Sequence, residues 1–345
     1  MTGIASLLGS IRKRPGLRLP AFAGTPQIAA LCAVLLVDWL VSPGFFNVRV
    51  VDGRLFGSVI DVLNRGAPVV LLSLGMTLVI ATGGIDLSVG AVMAISGAVA
   101  ATLANTHAAL PLIVAASLGA GLLCGLWNGI LVAVLRIQPI VATLILMVAG
   151  RGIAQLITQG QIVTFTNPGV IAAGTGALLA IPLPILIAIA AFALTTLLVR
   201  GTALGLFIEA VGANERASAY AGVSARVVKI AAYVWSGLCA GIAGFIAAAD
   251  IQGADANNAG LWLELDAILA VVVGGTALLG GRFSLPLSML GAIIIQAMNT
   301  GILLSGLQPE FNLIVKAVVV LAVLLLQSPV TRFALPKINI RRRSS

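Results

Sequence analysis

Charge is what this sequence has least of. Only 9% of its 345 residues are Asp, Glu, Lys or Arg, against about 25% in an ordinary globular chain, too little to cover a surface facing water. One histidine, His107, lies in a short loop and receives no role. The three cysteines, Cys32, Cys124 and Cys239, each sit inside an apolar run. They provide neither a disulfide framework nor a CxxC metal pair and read as small packing residues. No Gly-x-x-x-x-Gly-Lys-Ser/Thr phosphate loop occurs, since the nearest stretch, residues 275–282, lacks the lysine and hydroxyl that grip phosphate and magnesium. HExxH, Gly-x-Ser-x-Gly and paired intramembrane carboxylates are missing as well. ATP chemistry in this chain is thereby excluded, and neither a cofactor nor a metal is expected.

What the sequence does have is apolar length. Hydrophobic residues make up 60% of it, in runs near the ~20 residues that a helix needs to span the hydrocarbon layer. Read against their breakers they give about ten segments: residues 26–41, 67–82, 87–103, 110–135, 139–158, 181–199, 228–249, 266–279, 285–304 and 313–328. The expected class is an all-α polytopic membrane protein. The expected division is an arm at 1–25, a transmembrane domain at 26–330 with an inner loop at 201–227, and a basic tail at 331–345. Several segments are short, the mark of broken or re-entrant helices. The 39 glycines suit close helix packing, and Gly121, Gly125 and Gly129, like Gly237 and Gly241, follow small-xxx-small spacing.

The formal charge of +9 follows a topology and implies no nucleic acid. With both termini inside, Arg136, Arg200, Arg216, Arg226, Lys229, Arg282 and the tail arginines fall on inner loops. Arg49, Arg54 and Arg65 face out among Asp52, Asp61, Asp255, Glu264 and Glu310. That asymmetry is the positive-inside pattern. Arg12, Lys13, Arg14 and Arg18 then form a cytoplasmic anchor, since no small-residue cleavage site follows them as a signal peptide requires.

Two stretches carry chemistry. Residues 82–90, Thr-Gly-Gly-Ile-Asp-Leu-Ser-Val-Gly, put an acid between two apolar runs, where it needs a partner or water. One reading is capping, with Asp86 and Ser88 meeting free N–H groups of the next helix. The other is a broken helix lining a substrate path through Gly83, Gly84, Asp86, Ser88 and Asn128. In the loop at 209–223, Asn214 is placed to cap a short helix, Glu215 to sit in its first turn and Gly222 to close it, either as a surface helix or as a docking peg.

In this order and spacing the sequence resembles the ribose-type permease family of ATP-binding cassette sugar importers. The matching motifs are Gly83 to Ser88; Pro139, Thr143, Leu144, Arg151 and Gly152; Gly212 to Glu215; and Glu264 to Ile268 with Gly274, Gly275, Gly280 and Gly281. Residues 255–266 and 298–306 look like the galactofuranose-type branch, which pairs two different permease subunits. Ala213 and Tyr220 depart from the usual coupling segment. The resemblance implies a type II importer bundle, like that of the vitamin B12 importer, in the bacterial inner membrane. It implies a cytoplasmic ATPase, a periplasmic sugar-binding protein and a second permease subunit as partners. It further implies ATPase coupling through Gly212, Asn214, Glu215, Ala217, Tyr220 and Gly222. Asp255, Asn257, Asn258 and Trp262 become an outer gate or binding-protein contact. The competing class is an ion-coupled secondary transporter with Asp86, Arg151 and Lys316 as a relay.

Overall fold

The computed structural model of the protein describes residues 24–321 apart from 52, 107, 307, 309, 310, 312, 319 and 320. In chain order its elements are α1 (Thr25–Val41), β1 (Arg49–Val51), β2 (Arg54–Phe56), α2 (Ser58–Ala81), α3 (Val89–Ala104), α4 (Leu110–Ala133), α5 (Pro139–Ile157), β3 (Val163–Thr164), α6 (Pro168–Thr175), β4 (Ala177–Leu178), β5 (Ile181–Pro182), α7 (Leu183–Gly201), α8 (Leu204–Ala213), α9 (Glu215–Tyr220), α10 (Ala225–Ile251), β6 (Gly253–Ala254), α11 (Leu263–Val273) and α12 (Leu285–Leu304). Six helices, α2, α4, α5, α7, α10 and α12, are long and apolar enough to cross a membrane. The protein is thus an all-α multi-pass membrane protein whose strands are only short pairs.

The helices α2 and α10 are enclosed by the others, whereas α4, α5 and α7 turn most of their surface outward. Leu123, Val148 and Leu197 on those three are each more than 60% exposed, as suits helices that face lipid or another membrane subunit. Glycine brings α4 and α10 together along their length. Gly121 faces Gly237 and Gly241, Gly125 faces Tyr233 and Val234, and Gly129 faces Ile230, each so near that an added Cβ would collide with backbone. Three glycines on one face of α4 therefore act as a seam.

The structure moves several expected boundaries. The span placed at 67–82 begins at Ser58, because Asp61 in the first turn favours the positive helix end and Val59, Ile60 and Val62 continue the apolar run. The polar residues Asn64 and Arg65, assigned to an outer loop, are therefore helical. The span placed at 266–279 is α11, which ends at Val273 where Gly275 takes φ +87°. At 181–199 the first two residues pair as strand β5. In the segment at 313–328, residues 313–318 and 321 are helical and the rest lies outside the described residues. So do residues 1–23 of the arm expected at 1–25, the tail at 331–345 and His107.

The bundle has two unlike ends. At the hairpin end the pairs β1–β2, β3–β6 and β4–β5 gather. Arg54 donates there to the Thr175 carbonyl at 2.6 Å, and Gly174 touches the last turn of α10 at Asp250. At the basic end the C-terminus of α4 and the starts of α5 and α10 surround α9 and hold Arg136, Arg216, Arg226 and Lys229.

Candidate functional site

Between Ala81 and Val89 the chain leaves helical geometry, with Gly83 at φ +80°, a conformation glycine adopts without a Cβ clash. Loose backbone amid apolar helices needs partners, and three other helices supply them. Asp86, 1% exposed, accepts through Oδ1 from the Ser88 N–H at 3.1 Å and the Ser88 hydroxyl at 2.6 Å. Its Oδ2 accepts from the Ser236 hydroxyl of α10 at 2.9 Å. Asn128 of α4 donates to Ser88 Oγ at 2.8 Å. Thr143 of α5 accepts from the Leu87 N–H at 3.1 Å, and the Tyr233 hydroxyl of α10 donates to the Ile85 carbonyl at 3.3 Å.

At the basic end, α8 and α9 form the peg. Asn214 caps α9 by accepting from the Ala217 N–H at 3.0 Å, and Gly222 ends it at φ +84°. Lys229 at the start of α10 pairs with Glu215 at 2.7 Å. Ala217 is exposed, and Tyr220 projects with 93% of its surface free. Gly212 lies directly on the Ala81 carbonyl, leaving no room for a Cβ, and the same carbonyl accepts from the Gly281 N–H at 2.9 Å. Peg, helix break and the loop at 279–281 thus meet at one point.

Residues 255–262 fold back from the hairpin end against α3 and α5. Asp255 accepts from the Asn258 carboxamide at 2.7 Å and from the N–H groups of Asn257 and Asn258. These bonds, the carboxamide first, hold its carboxyl below the usual range. Arg151 of α5 donates to the carbonyls of Ala256 at 3.1 Å and Ala259 at 2.5 Å, and Gln155 donates to the Asn257 side chain at 2.7 Å. Gly260 rests on Gly90. Half-exposed Trp262, at φ +66°, starts the half-helix α11. The first-turn residue Asp266 is paired by Lys316 with both oxygens at 2.8 Å.

Residues 58–324 match the family described as branched-chain amino acid transport system / permease component. The chain belongs to that permease family. It is 66% identical to the galactofuranose transporter permease protein of Escherichia coli K12 over 88% of this chain and 89% of that one. It is 39% identical to the fructose import permease protein of Bifidobacterium longum, over 88% and 85% of the two chains. With the ribose import permease protein of Escherichia coli K12 the figures are 36%, 88% and 92%. No solved structure matches it.

One expectation about the break needs correction in this permease. Asp86 does not cap the first turn of α3, which has no side-chain cap. Its carboxylate takes the N–H of Ser88, the residue before the helix, and ties it to α10. Gly84 packs against α10, where an added Cβ would stand 2.6 Å from the Tyr233 hydroxyl. Ser88 and Asn128 are wholly buried, whereas Gly83 is exposed. The structure brings Asp86, Ser88 and Asn128 into one knot, and sets Asp255, Asn257 and Asn258 on α5 by way of Arg151 and Gln155.

Sequence reasoning missed Tyr233 and Ser236, one turn apart on α10 and facing the break, and the buried Asp38 of α1, which lies over Gly301 of α12. An acid inside an apolar run was the available signal for Asp38, as it was for Asp86. The three groups proposed as an ion relay do not form one. Asp86 is held by hydroxyl and amide groups, Arg151 by carbonyls and Lys316 by Asp266.

Arg151→Ala removes two charge-assisted bonds, each of about 1.5 to 3 kcal/mol. It should release residues 255–262 while leaving the spans inserted. A cysteine at position 257 should then react with an external maleimide several times faster than in the parent. An unchanged rate would show that Arg151 is not what holds the segment.

Proposed function

We propose that the chain is the pore-forming permease subunit of an ATP-binding cassette importer. In this reading it carries galactofuranose, or a related furanose or pyranose, from a periplasmic binding protein across the bacterial inner membrane by alternating access. The 66% identity to a galactofuranose transporter permease supports the cargo. The observation that carries the mechanism is the peg, a capped helix projecting from the basic end with Tyr220 almost free. A soluble partner would cover that aromatic side chain, and the cavity of about 830 Å³ beside it, walled by Arg136, Arg216 and Arg226 and by the Lys229–Glu215 pair, keeps a net basic lining that suits a partner with acidic groups.

That partner is a separate cytoplasmic ATPase, which performs the hydrolysis. Both termini are then cytoplasmic, about ten segments form a type II bundle, and a second, homologous permease subunit completes the pore as a heterodimer. The coupling residues are Gly212, Asn214, Glu215, Ala217, Tyr220 and Gly222. The segment with Asp255, Asn257, Asn258 and Trp262 faces the binding protein or the partner permease. The knot of Gly83, Gly84, Asp86, Ser88 and Asn128 borders the sugar path.

The double variant Glu215→Lys with Ala217→Asp tests this. It breaks the pair with Lys229 and puts a charge on the peg face while keeping the Asn214 cap. The complex should still insert and hydrolyse ATP, but sugar uptake per ATP should fall at least tenfold. Normal coupling would remove the peg from the mechanism. Uptake that continues in ATP-loaded vesicles without proton or sodium gradients would exclude ion coupling.

A further inference from the structure

Near the hairpin end, α2, α7, α10 and α12 line a half-open cavity of about 370 Å³, within the ~300–1,000 Å³ of small-molecule sites. Its polar lining is Asn64 and Arg65 of α2, Asp250 of α10, and Gln296 and Asn299 of α12. The Oδ1 atoms of Asn64 and Asn299 are buried without a hydrogen-bond partner among the described residues. Gln296 is 7% exposed and makes no side-chain hydrogen bond among them. Its position is secured by Gly66, where a Cβ would press on it at 3.3 Å. Arg65 and Asp250 form no ion pair within the described residues. Buried amide oxygens without partners are costly to keep in an apolar bundle, so the two on this cavity, Oδ1 of Asn64 and of Asn299, together with the Gln296 carboxamide, point to a ligand that satisfies them.

We infer that this cavity is where the permease receives its sugar, as a binding site for one neutral monosaccharide. Amides both donate and accept, as hydroxyl groups do, so three of them match a polyol better than an ion. One carboxylate and one guanidinium leave no net charge to trap an ionic ligand. Pro68, Ile246 and Ile302 supply apolar wall for the C–H faces of a sugar ring. The inference rests on the sugar-importer reading above and adds the residues that meet the sugar.

The test uses the assembled complex in proteoliposomes, with ATP, the binding protein and radiolabelled galactose, ribose or fructose. Gln296→Leu and Asn299→Leu should each lower uptake three- to tenfold at saturating loaded binding protein. The binding-protein concentration giving half-maximal ATPase stimulation should not move. Because leucine replaces unpaired amides, complex yield should hold or rise, an outcome that a merely structural role for these side chains would reverse. In a background with Cys32, Cys124 and Cys239 changed to alanine, Asn299→Cys should react with an external maleimide and be protected by the transported sugar. Leucine variants that assemble and transport at the parental rate overturn the inference, as does a cysteine that no transported sugar protects. If the parent complex moves none of the three sugars, the importer reading fails and this site falls with it.

Discussion

Asp86→Leu should abolish transport by preventing assembly of the permease. The leucine strands the Ser88 N–H and hydroxyl and the Ser236 hydroxyl in an apolar surround. An unmet buried donor costs about 1 to 3 kcal/mol, so the whole loss is on the order of 3 to 5 kcal/mol. That is a large part of the 5 to 15 kcal/mol that typically separates folded from unfolded protein, to order of magnitude. Asp86→Asn keeps one acceptor oxygen and a shape that fits. Its amide can donate to a rotated Ser236 hydroxyl, and the expected loss is about 1 to 2 kcal/mol. Complex yield by size exclusion and uptake per assembled complex separate the two effects. Yield should be near zero for leucine and most of the parental level for asparagine. Equal and complete loss of uptake in both, with the complex intact, would mean that the carboxylate charge is used in transport. Ion coupling would then return as the better reading.

Gly84→Ala should be nearly as damaging, from a single methyl group. The new Cβ would stand 2.6 Å from the hydroxyl of Tyr233, a ring with no exposed surface in which to retreat. Overpacking of this kind costs about 1 to 3 kcal/mol, and the overlap lies at the upper end. Tyr233→Phe removes the obstructing oxygen and gives up one long bond to the Ile85 carbonyl. Gly84→Ala with Tyr233→Phe should therefore recover most of the yield and uptake that Gly84→Ala loses. The coupling in a double-mutant cycle should exceed about 1 kcal/mol. If the phenylalanine leaves the alanine defect as it was, the glycine is required for a different reason, such as space for a moving sugar. By the same steric argument, a Gly84→Leu variant should lose uptake together with the assembled complex.

The acid at 86 was legible because hydrocarbon makes any carboxylate conspicuous, and the peg because its cap, acid and closing glycine lie within a few residues. The partners of Asp86 were not legible. Ser236 reaches it from 150 positions away in the chain and Tyr233 reaches Ile85 from 148, so nothing local marks either. A serine or a tyrosine inside an apolar run is also common enough in a membrane helix to pass without notice. The polar cavity stayed hidden for another reason. Asn64 and Arg65 fall before the span expected at 67–82, whereas the helix begins at Ser58 and continues through them on its apolar neighbours. Only the packing of α12 beside α2 shows that Gln296 and Asn299 face the same space.

The meeting of Gly212, Ala81 and Gly281 bears on how fast a signal can cross this protein. Side chains act as cushions between helices, since rotamers can absorb a small displacement before the next backbone feels it. At Gly212 there is no cushion. The backbone of α8 lies directly on the last carbonyl of α2, and the Gly281 N–H holds that carbonyl from the other side. No side chain stands between the peg and the point where α2 gives way to the broken segment. The joint is a rigid hinge pin, and inserting even one methyl group at Gly212 would wedge it.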